Sequence, residues 1–295
     1  MSHALHGVVT ATPTPFTPAG DLDEDCLRRL IEEFLAAGVH GISVGGSQGE
    51  FYALDHAERV RLIQIAVQTV AGRVPVYAGT GATTTRAAVA LTRAAEEHGA
   101  DVAMVITPYF IAPSPAELLA HYRTVAAATS LPVLIYTNPP RTGLTISPGL
   151  WRQCAEIPNV AGIKDSSGDL SLVLGYLAAP HDDQAVFCGR DTLAFAMLAH
   201  GAAGAISPAA CVFPRLMVRM YEQFRAGQPD AARATADLLV PLRQAWDLGS
   251  FPVVIKEAMA MTGRDPGPAR RPVTPLSPAA RAALRDVVDH IGAAS

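Results

Sequence analysis

The chain has 295 residues, a formal net charge of −4 and 49% hydrophobic residues. This length and composition suit one large domain or two small ones, and they exclude a largely disordered chain. The mild negative charge, with basic residues scattered along the sequence, gives no indication of a nucleic-acid partner.

The sequence repeats a pattern in which an apolar run is followed by a polar loop and an amphipathic helix. Continuous apolar runs are typical of strands in a parallel sheet, because such strands are buried on both faces. The predicted strands cover residues 8–11, 41–44, 74–78, 102–106, 131–136, 160–164, 185–188 and 204–207. The predicted helices between them cover residues 23–37, 55–72, 84–98, 115–129 and 147–154.

Eight strand units within residues 1–225 predict a (β/α)8 TIM barrel. Residues 226–295 are predicted to form an additional C-terminal helical extension, interrupted by Pro252 and by the proline- and arginine-rich stretch 265–275. In barrels of this kind the loops at the carboxyl ends of the strands converge on one mouth, where the active site lies.

Lys164 is a candidate functional residue because lysine is rare in this chain. Of the 23 basic residues 21 are arginines, and only Lys164 and Lys256 are lysines. Burial at a strand end lowers the pKa of a lysine, and the neutral amine is a candidate Schiff-base nucleophile, whereas arginine keeps its proton. The alternative is an ordinary lysine paired with Asp165, but the barrel directs Lys164 into the mouth. Lys256 is interpreted as a structural residue of a late helix, away from the mouth.

Three further stretches bring candidate side chains to the mouth. Tyr136 ends the strand beside that of Lys164, so its phenol can transfer protons during imine formation, or it is only an aromatic side chain packed at the rim. Residues 45–50, Gly-Gly-Ser-Gln-Gly-Glu, form either a tight turn or a backbone nest for a carboxylate, with a hydroxyl from Ser47. Arg141 either binds a distal carboxylate through two hydrogen bonds or is a solvated loop residue.

The cysteines and histidines give no indication of a metal centre. The four cysteines are far apart without a Cys-x-x-Cys motif, and the nine histidines are dispersed. We therefore expect reduced cysteines, no zinc site and no metal-dependent aldolase. The N-terminus lacks a charged segment followed by an apolar run, and no apolar run reaches ~18 residues, so we expect a cytoplasmic protein with no membrane span.

Six stretches are together similar to one known enzyme family. They are residues 46–50 (Gly-Ser-Gln-Gly-Glu), 79–82 (Gly-Thr-Gly-Ala), 107–109 (Thr-Pro-Tyr), 136–143 (Tyr-Thr-Asn-Pro-Pro-Arg-Thr-Gly), 162–168 (Gly-Ile-Lys-Asp-Ser-Ser-Gly) and 204–207 (Gly-Ala-Ile-Ser). With these motifs in this order, the chain resembles the dihydrodipicolinate synthase / N-acetylneuraminate lyase family of class I aldolases from Gly7 to about Ala260.

The resemblance implies a mechanism and an assembly. Lys164 would form an imine with pyruvate or another 2-oxo acid, and Tyr136 would be the proton shuttle, with the Ser47 hydroxyl in the relay. The backbone of Ser47 and Gln48 would hold the carboxylate of the 2-oxo acid, and Ile206 would line the pocket through its carbonyl. The resemblance also implies a homotetramer, built as a dimer of dimers, and no metal or organic cofactor.

Two stretches depart from the pattern of the synthases. Ser47-Gln48 stands where the synthases usually have two threonines. Phe110 stands where they have a second tyrosine that reaches into the relay of the neighbouring subunit. Because phenylalanine cannot pass a proton, the relay from Tyr136 is cut short or completed by water. Tyr109 and Phe110 remain candidate contacts to substrate.

The lysine-feedback cleft of the bacterial synthases is incomplete in this sequence. His56 and Tyr109 match it, whereas Thr83 and Ala87 replace an amide and a carboxylate. Regulation by lysine is therefore not predicted.

The second substrate is left open by conflicting features. Arg141 is the residue that the synthases use for the carboxylate of the aldehyde, whereas Ser47 matches the Gly-Ser-x-Gly-Glu form of the lyases. The nearest named function is a synthase condensing pyruvate with aspartate semialdehyde. The alternative is a catabolic aldolase or dehydratase of a 2-keto-3-deoxy sugar acid or a 4-hydroxy-2-oxo acid. A non-catalytic sensor of 2-oxo acids is the hypothesis from a different class.

Overall fold

The structure, a computed structural model, describes residues 5–178 and 184–294. Eight parallel strands pair in sequence order and close into a barrel, which confirms the predicted fold. The strands are β1 (Gly7–Ala11), β2 (Gly41–Val44), β3 (Val76–Gly79), β4 (Val102–Ile106), β5 (Val133–Thr137), β6 (Val160–Asp165), β7 (Ala185–Cys188) and β8 (Gly204–Ser207).

Helices surround the barrel and continue beyond its last strand. Between β1 and β6 lie α1 (Glu24–Ala36), α2 (His56–Val70), α3 (Thr85–Glu97), α4 (Pro115–Ala126), α5 (Pro139–Thr142) and α6 (Pro148–Ala155). From β6 onward lie α7 (Leu170–Leu177), α8 (Ala194–Ala199), α9 (Ala209–Val212), α10 (Pro214–Arg225), α11 (Pro229–Asp237), α12 (Val240–Gln244), α13 (Val253–Met261) and α14 (Pro278–Ala293). None of the described helices is long and apolar enough to cross a membrane.

Two strands begin two residues later than predicted, and in both cases a proline is the reason. Pro75 and Pro132 precede β3 and β5, and a proline has no N–H to donate to the sheet. Their carbonyl groups still accept, at 3.0 Å from the N–H of Ile42 and at 3.0 Å from that of Ala103. Both strands then extend to the residue after the predicted end, at Gly79 and Thr137.

Apolar side chains fill much of the barrel interior, and polar side chains gather at the carboxyl ends of the strands. The interior cluster includes Val9, Met104, Leu134 and, in edge-to-face contact at 6.1 Å between ring centres, Tyr77 and Phe187. Because successive residues of a strand face opposite sides, the residues between them pack outward against the helices. Tyr136, near the carboxyl end of β5, belongs to the same cluster, so the cluster extends to the end of the barrel where the functional side chains lie.

The C-terminal extension contributes a buried helix next to the barrel mouth. The residues of α13 from Val253 to Met259 are all buried, including Lys256. The chain then runs without helix or strand from 262 to 277 and ends in α14. This extension is therefore part of the wall around the mouth.

Candidate active site

A cavity opens at the carboxyl ends of the strands, and five residues singled out from the sequence line it. These are Ser47, Gln48, Tyr136, Arg141 and Lys164. They come from the loops after β2 and β5 and from β5 and β6 themselves. The barrel thus brings together residues that are far apart in the sequence.

Lys164 lines this cavity from β6. It is 4% exposed, it pairs in register with Tyr136 on the neighbouring strand, and its Nζ lies 4.1 Å from the centre of the Tyr136 ring. Asp165 is the next residue of the strand and faces the other side of the sheet. In the described part of the chain no ion pair joins Lys164 to Asp165, so the amine is directed to the cavity.

Tyr136 is held by two polar neighbours. Its Oη lies 3.2 Å from the Ser47 Oγ, and the Asn138 Nδ2 donates to it at 2.7 Å. Because Asn138 only donates in this contact, the phenol proton remains available to Ser47 or to a bound molecule. Sequence reasoning missed Asn138, although it lies two residues after Tyr136 in the same motif.

The loop 45–50 presents free backbone donors to the cavity. Within the described residues, the N–H groups of Ser47 and Gln48 have no hydrogen-bond acceptor, whereas the Gln48 side chain donates to Pro252 O at 3.2 Å. The loop packs closely on β3: a Cβ on Gly79 would lie 2.0 Å from the Gly45 carbonyl oxygen. Two unpaired N–H groups in a fixed turn suit an anion such as a carboxylate.

A buried ion pair ties this loop to the C-terminal extension. The Lys256 Nζ lies 2.7 Å from the Glu50 Oε1, each side chain being 1% exposed, and it donates to Pro268 O at 2.7 Å. The Arg270 N–H donates to the other Glu50 oxygen at 3.0 Å. Burial lowers the pKa of Lys256, and the charge of Glu50 opposes this effect. Lys256 does not line the cavity, in agreement with the expected structural role, but its amine contacts Glu50 at the end of the loop that carries Ser47.

Two arginines of the wall were not recognised from the sequence. Arg190, which follows β7, and Arg243 of α12 line the same cavity as Arg141. The position of Arg190, two residues after the end of a predicted strand, could have identified it. No sequence pattern indicated Arg243, because its position at the mouth depends on how the C-terminal extension folds back over the barrel.

Three predicted substrate contacts lie outside this cavity as one chain forms it. Ile206 is fully buried in the interior cluster of the barrel. Tyr109 packs against the ring of Phe51 at 5.3 Å between centres. Phe110 is 98% exposed and has a φ of 73°, so it projects from the surface.

Asp165 has an environment that disfavours its charge. It is 2% exposed, and burial raises its pKa to about 6 although the N–H and hydroxyl of Ser167 both donate to its Oδ1. A group whose pKa is higher in the folded state than in the unfolded state binds its proton more tightly when folded. Its contribution to stability is therefore complete below about pH 4 and is lost as the pH rises through about 6.

We expect Asp165→Asn to flatten the stability profile over this pH range. One pKa unit corresponds to about 1.4 kcal/mol, so the wild-type free energy of unfolding should fall by up to about 3 kcal/mol more than that of the variant between pH 4 and 6.5. Urea unfolding at several pH values measures this difference. Asp286→Asn, which changes an exposed carboxylate on α14, is the control. Parallel profiles for wild type and Asp165→Asn would contradict the prediction.

Comparisons with known proteins agree on one family. The chain matches the model of the Dihydrodipicolinate synthetase family over residues 4–291. It is 39% identical over 291 residues to the 4-hydroxy-tetrahydrodipicolinate synthase of Methanoculleus marisnigri, which covers 98% of this chain and 100% of that protein.

Two solved structures with pyruvate bound share the fold. YagE of Escherichia coli K12, a prophage protein of the dihydrodipicolinic acid synthase family, has a TM-score of 0.95 and 32% identity, covering 98% of this chain and 99% of YagE. The dihydrodipicolinate synthase of Acinetobacter baumannii has a TM-score of 0.93 and 33% identity, covering 97% of this chain and 99% of that one.

Proposed function

The chain belongs to the dihydrodipicolinate synthetase family, and on that premise we propose that Lys164 forms an imine with pyruvate or a related 2-oxo acid. The protein is a lyase of the class I aldolase type. The observation that carries the proposal is the buried amine of Lys164 at the mouth, 4.1 Å from the Tyr136 ring. The pyruvate complexes of YagE and of the Acinetobacter baumannii enzyme support this first substrate.

The proposed reaction begins with attack of neutral Lys164 on the keto carbon. A C–N bond forms, the keto oxygen leaves as water with protons passed through Tyr136, and an iminium results. Loss of a proton from the adjacent carbon gives an enamine. The enamine carbon forms a C–C bond with an aldehyde, whose oxygen takes up a proton, and water releases the product from Lys164. Cleavage follows the same steps in reverse.

The unpaired N–H groups of Ser47 and Gln48 support a position for the carboxylate of the 2-oxo acid. The carboxylate would be held there while the keto carbon faces the Lys164 amine. The contact between the Ser47 hydroxyl and Tyr136, at 3.2 Å, extends the proton path from the phenol. Phe110 adds no proton-carrying group, so we propose that water completes the relay.

For the aldehyde, the proposal keeps two candidates. The names of the relatives and the presence of Arg141 at the mouth support aspartate semialdehyde, as in a 4-hydroxy-tetrahydrodipicolinate synthase. Gln48 and Phe110 support an aldolase or dehydratase of a 2-keto-3-deoxy sugar acid or a 4-hydroxy-2-oxo acid. Both share the imine on Lys164.

Borohydride trapping tests the imine. The protein is incubated with a panel of 2-oxo acids, reduced, digested and examined by mass spectrometry. A stable adduct on the peptide that contains Lys164 is expected with pyruvate or a close relative. Folded protein that gives no adduct with any acid would overturn the proposal and favour a sensor.

We also propose that the chain assembles as a homotetramer in the cytoplasm. An exposed apolar surface supports the assembly: Phe110 is 98%, Ile111 47% and Tyr52 49% exposed. Tyr52 and Tyr109, the residue before Phe110, both pack against the ring of Phe51, and an exposed apolar patch of this kind usually marks an interaction site. The four free, buried cysteines are consistent with a reducing compartment.

We expect Phe110→Asp to shift the protein toward smaller species, because the charge would have to be buried in an interface between subunits. Light scattering coupled to size exclusion measures the molar mass at several concentrations. Ala116→Asp adds the same charge at an exposed position at the start of α4 and is the matched control. An unchanged mass for Phe110→Asp would place Phe110 outside any interface.

A further inference from the structure

The wall around Lys164 collects positive charge without a matching negative charge. Arg141, Arg190 and Arg243 line the cavity together with Lys164. Among the residues that the structure describes, no aspartate or glutamate lines it. This local excess contrasts with the net charge of −4 of the whole chain.

The three guanidinium groups are fixed in place but not neutralised. Arg141 stacks at 4.4 Å on the ring of Phe251, and Arg243 stacks at 3.7 Å on that of Trp246. Arg190 donates to Ser167 O at 3.4 Å, and its buried Nε has no hydrogen-bond partner. Over residues 5–178 and 184–294, none of the three forms an ion pair with a carboxylate.

Acidic residues near the cavity do not line it. Asp191 directly follows Arg190, and its buried carboxylate accepts hydrogen bonds from the Ser207 hydroxyl and the Ala209 N–H. Burial raises the pKa of Asp191, and the charge of Lys164 opposes this rise.

Asp165 is buried behind β6, where the charge of Arg190 slightly opposes the rise in its pKa. Asp247 lines the adjoining surface groove, which Arg141 and Arg243 also line. Arginines remain protonated at any working pH, so the positive charge of the wall persists until an anion binds there.

The donors of the site exceed what a 2-oxo acid and a single distal carboxylate require. The N–H groups of Ser47 and Gln48 suit the carboxylate of the 2-oxo acid, and Arg141 suits one distal carboxylate. Arg190 and Arg243 then remain, and their stacked or backbone-anchored positions hold them ready for a further negative charge.

We propose that the aldehyde acceptor carries a distal dianionic group, either a phosphate ester or a pair of carboxylates, and no ammonium group. This inference rests on the proposed imine chemistry at Lys164. It argues against aspartate semialdehyde, because the ammonium of that aldehyde would be repelled by the guanidinium groups that attract a dianion. Among the 2-keto-3-deoxy sugar acids and 4-hydroxy-2-oxo acids, it favours those that release a dianionic aldehyde. Arg190 and Arg243 are its specificity-determining residues.

The inference is tested by measuring kcat/KM for pairs of acceptor aldehydes that differ in one charged group, at saturating pyruvate. Glyceraldehyde 3-phosphate and glyceraldehyde differ by one phosphate, and succinic semialdehyde and aspartate semialdehyde differ by one ammonium. We expect kcat/KM to be at least about 100-fold higher with the phosphate, and at least about 10-fold higher without the ammonium. Inhibition by glycerol 3-phosphate and by malonate, each competing with the acceptor, then distinguishes a phosphate site from one for two carboxylates.

Substitution of Arg190 and Arg243 tests whether these two residues cause the preference for a phosphorylated acceptor. In Arg190→Gln and Arg243→Gln the ratio of kcat/KM for glyceraldehyde 3-phosphate over glyceraldehyde should fall by about 10- to 100-fold. Arg285→Gln, an exposed position on α14, is the matched control and should keep the wild-type ratio. An equal or higher kcat/KM with aspartate semialdehyde than with succinic semialdehyde, or a ratio that neither variant changes, would overturn the inference.

Borohydride trapping of pyruvate on Lys164 distinguishes a failure of the dianion inference from a failure of the proposed imine chemistry. If pyruvate forms a borohydride-stable adduct on Lys164 but the acceptor preferences are absent, only the dianion inference is wrong. If no adduct forms, the imine itself is wrong, and the acceptor series has no bearing on the arginines.

Discussion

Lys164→Arg is expected to lower kcat by at least about 10⁴-fold while leaving the barrel folded, because the variant has no amine that can attack a carbonyl. Arginine keeps its proton at any working pH, so it retains the charge at this position and removes only the nucleophile. The wild-type amine is 4% exposed and lies in the cavity beside Tyr136, where a bound 2-oxo acid would meet it. Turnover and borohydride trapping measure the effect.

A second substitution guards against a failure to fold. Arginine is larger than lysine, whereas Lys164→Met is close to the size of lysine and has no charge. Both variants should show a wild-type circular dichroism spectrum and no adduct. The chain has only one other lysine, Lys256, so an adduct can be assigned to its peptide without ambiguity. Turnover within about ten-fold of wild type in either folded variant would contradict the role of Lys164.

Lys256→Met is expected to cost about 3–5 kcal/mol in the free energy of unfolding, because it leaves Glu50 as an unpaired buried carboxylate. The pair is 2.7 Å apart, and both side chains are almost completely buried. Surface ion pairs contribute far less, about 0–1 kcal/mol. Arg61→Met, which removes the partly exposed pair with Glu24, is the matched control. Urea unfolding at pH 7 measures all three proteins.

The same change should weaken binding of the 2-oxo acid. Glu50 ends the loop whose N–H groups at Ser47 and Gln48 face the cavity, so release of Glu50 lets that loop shift. We expect the KM for pyruvate to rise more than kcat falls, since the amine of Lys164 is untouched. The double variant Glu50→Gln with Lys256→Met removes both charges and should recover most of the stability. A single variant as stable as wild type, or one that loses stability with an unchanged KM, would contradict the coupling.

The sequence alone determined the architecture, because strand positions depend on local patterns. The apolar runs placed β2, β4, β7 and β8 at their observed bounds, and two prolines account for the late starts of β3 and β5. Once the fold was a barrel, the strand ends had to meet at one mouth. The juxtaposition of Lys164 with Tyr136, on neighbouring strands, followed from that rule and needed no knowledge of packing.

Only the tertiary structure decided which partners complete the site. Lys256 and Arg243 lie in the C-terminal extension, and no local pattern shows that one supports the loop of Glu50 while the other lines the cavity of Lys164. Such contacts depend on how a helical segment folds back over the barrel. That arrangement is set by side-chain packing between segments distant in sequence, whereas a strand or helix is set by its own residues.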